Sequence, residues 1–134
     1  MNPISKNVSI GTIGELLVQT RLLQYDVQAA PPIKDSGNDL IALRGTTIKA
    51  IQVKTRTDPS FSAYDLPKFY HLVAFVYLVG EDHELYLDRS EVFIVPKEYI
   101  GIVPLSVDAL GDFRLTRDWI NQLFPPMPEI VVPS

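Results

Sequence analysis

Apolar and polar positions along the chain alternate with two different periods, and the changes of period mark out the elements. Between residues 9 and 24, Ile13, Leu16, Leu17 and Leu23, with Ile10 ahead of them, recur at helical spacing and predict an amphipathic helix. Residues 25–33 predict a first strand that stops at Pro31-Pro32. Two short apolar runs, Leu40-Ile41-Ala42-Leu43 and Ile48 to Val53, then flank Arg44-Gly45-Thr46-Thr47, the signature of a β-hairpin. Turn signals follow at Asp58-Pro59, Ser60 and Ser62, and Asp65-Leu66-Pro67 predicts a short helix capped by Asp65 with Pro67 in its first turn. The unbroken apolar run 72–79 reads as a buried strand, Gly80 to His83 as a turn into 84–88, and 91–95 as a further strand closed by Pro96. A last helix is expected near 116–124, carrying Trp119, Ile120 and Leu123. Pro125, Pro126, Pro128 and Pro133 set residues 125–134 apart as a tail without regular structure, which leaves residues 1–124 as one domain, long enough for a proper core. No repeat or low-complexity segment interrupts it.

The hairpin carries the polar residues that need explaining. A turn centred on Gly45-Thr46 sets Leu43 across from Ile48, and the same register sets Asp39 across from Gln52. Alternation puts Ile48, Ala50, Gln52 and Lys54 on that face and Lys49, Ile51, Val53 and Thr55 on the other. A carboxylate, an amide and an ammonium thus gather at one end of an apolar hairpin. Taken alone, such a group is a solvated salt bridge of small consequence. Two features argue for more: the strands are apolar on both faces, as in a layered α/β fold, and the small residues Asp35-Ser36-Gly37-Asn38 leave space in front of Asp39. Glu15 admits two readings. Thr12-x-x-Glu15 has the form of a capping box, whereas Glu15 also shares a helical face with Val18 and Leu22 and would then point inward.

The sequence Asp39-(x12)-Gln52-Val53-Lys54, downstream of an acid-bearing helix, resembles the PD-(D/E)xK nuclease superfamily. The Gly14-Glu15 helix segment and Ser36-Gly37-Asn38-Asp39-Leu40-Ile41-Ala42-Leu43 resemble its Holliday-junction-resolvase branch, and Gln52 in place of an acid resembles a variant found in some homing endonucleases. The likeness covers roughly residues 9 to 56. It implies an α/β, restriction-endonuclease-like αβββαβ core, with a mixed central sheet flanked by helices. It also implies metal-dependent hydrolysis of DNA, with Mg²⁺ or Mn²⁺ as cofactor. Mg²⁺ takes oxygen ligands and keeps several waters, so few carboxylates suffice. On this reading Asp39 is the principal ligand, Gln52 and the backbone carbonyl of Val53 offer neutral oxygens, Glu15 adds charge and Lys54 stabilises charge on the phosphate.

Composition changes the picture in three ways. The chain has no cysteine, which excludes disulfides, zinc–thiolate sites and thiol nucleophiles. No signal pattern opens it and no apolar run is long enough to span a bilayer, so a cytoplasmic protein without membrane association is expected. The net charge of −4 works against general attraction to nucleic acid, although Lys34, Arg44, Lys49, Lys54 and Arg56 are expected to gather around the hairpin. An acidic domain of this size needs further contacts to hold a duplex. A homodimer is therefore expected, joined through strands 72–79 and 92–95 or through the tail. The charge and Gln52 favour a second reading, a catalytically inactive nuclease-fold module that binds nucleic acid or a protein partner, and a third stays open, an unrelated α/β structural or regulatory protein whose hairpin end is only solvated. His71 and His83 lack metal-ligand spacing and are read as surface or core residues. There is no phosphate-binding glycine loop or nucleophile elbow.

Overall fold

The computed structural model describes residues 6–34, 37–81 and 84–128. Helix α1 (Lys6–Leu23) is followed by β1 (Gln28–Ala30), β2 (Leu40–Arg44), β3 (Thr47–Arg56), β4 (Leu72–Tyr77), β5 (Gly80–Glu81), β6 (Glu84–Leu85), β7 (Glu91–Pro96) and α2 (Arg117–Leu123). Five strands form one sheet in the order β1-β2-β3-β4-β7, while β5 and β6 pair as a separate ribbon. Only β3 and β4 run parallel; the other neighbours in the large sheet are antiparallel. The architecture is the expected mixed α/β one, with a mixed sheet and two helices. Part of the turn expected at Gly80 to His83, His83 itself, Asp35-Ser36 and the tail from residue 129 lie outside the described residues.

The hairpin register is the one the turn dictates. Gly45 takes φ 60, a conformation that suits a residue without a β-carbon, and Leu43 pairs with Ile48 through to Leu40 with Ile51. The sheet has a core on each side. Leu40, Ala42, Ile51, Val53, Leu72, Ala74, Val76, Val92 and Ile94 meet Val18 and Leu22 of α1 and Ile120, Leu123 and Phe124 from α2 and its end. On the other side, Val73, Phe75, Phe93 and Val95 are covered by Phe61 and Leu110, with Leu66, Tyr70 and Leu105 around them, all from irregular segments. Both faces of β4 are therefore dry, which is why its sequence is apolar without alternation.

Three expectations are corrected by the packing. The inward stripe of α1 runs through Gly14, Val18 and Leu22, whereas Leu16 and Leu23 are exposed and Ile10, Ile13 and Leu17 pack at the margin. The helix already runs from Lys6, so Thr12 is interior to it and the capping box does not form. The short helix expected after Asp65 is also absent. Asp65 sits in a turn at φ 57, a left-handed conformation incompatible with the extended backbone of a helix cap, and residues 57–71 connect β3 to β4 without a helix. Finally, strands β4 and β7 are buried and cannot supply a dimer interface. The outer edge of β7 is occupied by Leu115 N–H, which donates to Val92 O at 2.9 Å, and by Trp119 Nε1–H, which donates to Ile94 O at 2.9 Å. Of the tail, Met127 lies against Gly45 at the hairpin turn. Among the described residues no helix is long and apolar enough to cross a membrane.

The stripe of α1 is set by one close approach. A β-carbon on Gly14 would lie 2.8 Å from Cβ of Thr55 and overlap its hydroxyl, so glycine is what lets α1 rest directly on β3. Gly14→Ala should accordingly lower stability by about 1–3 kcal/mol through overpacking. Trimming the neighbour with Thr55→Ala should recover part of that loss, read as the shift in denaturation midpoint across the four proteins of the cycle.

Candidate functional site

The site lies where β2 ends and β3 continues alone. Asp39 immediately precedes β2, and one step past the Leu40–Ile51 pair it faces Gln52. There the side chain takes over from the missing strand: Val53 N–H donates to Oδ2 of Asp39 at 2.8 Å. One oxygen of the carboxylate is thereby fixed against the β3 backbone. Seated by Gly14 on Thr55, α1 delivers the next residue, Glu15, to hydrogen-bond reach of the Asp39 carboxylate.

The charge of Asp39 acts on Glu15. Glu15 is held above the usual carboxylate range, first by burial, then by the negative charge of Asp39, then by its hydrogen bond to Asp39. The surroundings are short of hydrogen-bond donors in the same place. Asn38 Oδ1, Gln52 Oε1 and Thr55 Oγ1 are buried and have no hydrogen-bond partner. Asn38 precedes Asp39, Gln52 faces it, and Thr55 lies under Gly14. Each orphaned buried polar atom costs about 1–3 kcal/mol; Asn38 and Gln52 are neighbours of Asp39 along and across the hairpin, while Thr55 Oγ1 lies on the opposite, α1-facing side of β3.

The remaining residues are held by the loop between β3 and β4. Lys54 lies two residues beyond Gln52 on β3, and its Nζ donates to Tyr64 O at 2.7 Å. Asn38 Nδ2 donates to Phe69 O at 2.9 Å. His71 is exposed and bonded to the strand beside it: Ala50 N–H donates to its Nδ1 at 2.9 Å, and its own N–H donates to Ala50 O at 3.0 Å. It serves the start of the parallel ladder, as a surface residue.

Of the expected residues, then, Glu15, Asp39 and the Gln52–Val53 peptide come together, with Lys54 next along the strand and tied to the loop. Val53 itself is buried, its N–H taken by Asp39. The expected basic cluster does not assemble. Arg44 donates through Nη1 to Asn121 Oδ1 at 2.7 Å and to Phe124 O at 3.1 Å, and Lys49 lies 5.8 Å from the Phe124 ring centre, both at the turn end of the hairpin, away from Asp39. Arg56 pairs with Asp58 at 3.1 Å. Sequence reading also passed over Asn38, Thr55, Tyr64 and Phe69. The first two were signalled by adjacency to Asp39 and by the small residue before Glu15; the loop residues gave no periodic signal.

Among the described residues no three His, Cys, Asp or Glu side chains converge on a metal position. The donor set here is two carboxyls, one amide oxygen and main-chain carbonyls. All are hard oxygen donors of the kind Mg²⁺ and Mn²⁺ take, and the unpartnered Gln52 Oε1 fits that use.

The Glu15–Asp39 contact has a signed consequence for stability. A folded-state pKa above the unfolded value means the folded protein holds the Glu15 proton more tightly, so the contribution is favourable at low pH. It is lost as pH rises from the ordinary Glu value of 4.5 through the raised one. Glu15→Gln keeps a donor for Asp39 and removes the titration. In metal-free buffer it should melt above the native protein at pH 7, by about 4 °C for each kcal/mol of repulsion relieved. The difference should vanish well below pH 4.5, where Glu15 is protonated in both states. Thermal melts of both proteins across this range provide the check.

No family model matches the sequence, and no curated protein matches it. A solved structure does: a bacterial homing endonuclease, I-Ssp6803I, superposes with a TM-score of 0.59 over 89% of this chain and 91% of that one, at 14% sequence identity. At that identity the likeness is one of fold. The chain has a nuclease-like mixed α/β fold.

Proposed function

We propose that this protein is a divalent-metal-dependent endonuclease that hydrolyses DNA phosphodiester bonds, with the site of the PD-(D/E)xK type. The observation that carries the reading is the coincidence of the Glu15–Asp39 acid pair with the unpartnered Gln52 Oε1, delivered by separate elements of a nuclease-like fold. A solvated hairpin end would not bring Glu15 from α1 to Asp39.

Asp39, Glu15, Gln52 Oε1 and the Val53 carbonyl are the residues that would hold Mg²⁺ or Mn²⁺. When bound, the ion supplies positive charge that polarises the phosphate and lowers the pKa of an attacking water. The chain's own part is electrostatic. Glu15, whose proton is held more tightly than an ordinary glutamate's, would release it to solvent so that two carboxylates could face the ion. Val53 N–H keeps the Asp39 carboxylate in one orientation while this happens. Lys54 uses one of its three N–H donors on Tyr64 O, which fixes the ammonium and leaves two for phosphate oxygens as charge develops there.

The second reading, an inactive nuclease-fold module that binds nucleic acid or a protein partner, is favoured by Gln52 where an acid is usual and by the net charge of −4. Cleavage separates the two. Plasmid and oligonucleotide substrates should be cut with Mg²⁺ or Mn²⁺ and left intact with EDTA, and Asp39→Asn and Lys54→Ala should each reduce the rate at least about 100-fold. Rates that ignore EDTA, or that survive Lys54→Ala, would sink the catalytic reading. Metal binding is tested separately by melting. Gln52→Glu adds a charged ligand, so it should be less stable than the native protein without metal and show the larger rise in melting temperature when Mg²⁺ is added. An equal rise in both proteins would place the ion elsewhere.

A further inference from the structure

Residues 64–70, in the connection from β3 to β4, turn two kinds of side chain in opposite directions. Leu66 and Tyr70 pack onto the second core. Tyr64 and Phe69 face solvent, 77% and 75% exposed. The backbone beneath these two aromatics is held by the site itself: Tyr64 O accepts from Lys54 Nζ at 2.7 Å, and Phe69 O accepts from Asn38 Nδ2 at 2.9 Å, next to Asp39. One lysine lies at an exposed ring and a second at the core-facing Tyr70 beside it. Lys68 Nζ lies 5.6 Å from the centre of the Phe69 ring, and Lys97 Nζ lies 4.9 Å from that of Tyr70 while donating to Lys68 O at 3.4 Å.

Large aromatic faces left in water on an anchored backbone, interleaved with ammonium groups, suit a strand whose bases are unstacked: the rings offer stacking surfaces and the lysines meet phosphates. Bases within an intact duplex present no free face to such rings. We propose that the 64–70 loop is a stacking platform for unpaired bases, and that the substrate is DNA with a single-stranded or splayed segment beside the scissile phosphate. This rests on the nuclease reading of the Asp39 site, and extends it from a reaction to a class of DNA.

The test is binding without turnover, in EDTA, of a fluorescein-labelled single strand, a splayed fork and a blunt duplex of matched sequence. Native protein, Tyr64→Ser and Phe69→Ser are compared, with Leu87→Ser as a substitution of an exposed apolar residue outside the loop. The native protein should bind fork and single strand about tenfold more tightly than duplex, each aromatic substitution should cost about tenfold on those two, and Leu87→Ser should change neither. A 2-aminopurine placed among the unpaired bases of the fork should change its fluorescence on binding to native protein, and less in the two aromatic variants. Melting temperatures close to native establish that the variants fold. Equal affinity for the three DNAs, failure to bind any of them, or fork binding that is indifferent to Tyr64 and Phe69 would overturn the proposal. The two readings fail separately. Aromatic-dependent fork binding without cleavage in Mg²⁺ or Mn²⁺ defeats the nuclease alone, and metal-dependent cleavage with no preference for unpaired bases defeats the platform alone.

Discussion

Two carboxyl groups within hydrogen-bond reach repel when both ionise, and Glu15 and Asp39 are held there by packing that neither residue controls. The contact depends on Gly14, since any side chain at that position would lift α1 off Thr55 and take Glu15 with it. It depends equally on the end of β2, where the Asp39 carboxylate replaces a strand carbonyl as the acceptor for Val53 N–H. The acid pair is thus fixed from both sides of the sheet edge, by a helix–strand contact and by a ladder hydrogen bond. The two contacts leave the pair little freedom to separate and relax the repulsion.

The same region concentrates other local costs. Asn38, Gln52 and Thr55 each bury an oxygen with no partner, and Glu15 keeps a proton at pH values where an ordinary glutamate has lost it. A fold selected only for stability would replace these groups with apolar ones of similar shape. Elsewhere the described residues obey the usual rules. Ser90, the buried polar residue of the core, donates from Oγ to Tyr86 O and accepts from Val79 N–H, both at 3.0 Å. Thr116 caps α2 by accepting from Trp119 N–H at 3.2 Å. The departures from good packing practice sit together at one sheet edge, as expected of a binding site.

Much of this was legible in the sequence, and the parts that were not have physical causes. The hairpin register followed from Gly45, because a two-residue turn fixes every pair behind it, and that register alone placed Gln52 across from Asp39. The face of α1 was misread by counting leucines. Leu16 and Leu23 are exposed, while the inward line runs through Gly14, Val18 and Leu22, and its first residue carries no hydrophobic signal. Glu15 could still be placed, because its spacing to Val18 and Leu22 depends on the helical repeat and not on which residues are apolar. Residues 57–71 were opaque. Asp65-Leu66-Pro67 has the composition of a helix start, and only the positive φ of Asp65, set by tertiary contacts, shows that it is a turn. The basic residues near the hairpin misled for a similar reason: nearness in sequence put Arg44 and Lys49 with Lys54, but a strand of ten residues carries its two ends far apart.

On the proposed reading, a divalent cation displaces the proton that Glu15 holds beside Asp39. Calorimetric titration of Mn²⁺ into the protein near pH 5, in buffers of different ionisation enthalpy, counts the protons released on binding and so tests that claim directly. Binding should release more protons from the native protein than from Glu15→Gln, which has no proton to lose at that position. Proton release that is the same in both proteins, or Mn²⁺ binding that survives Asp39→Asn together with Glu15→Gln unweakened, would contradict it.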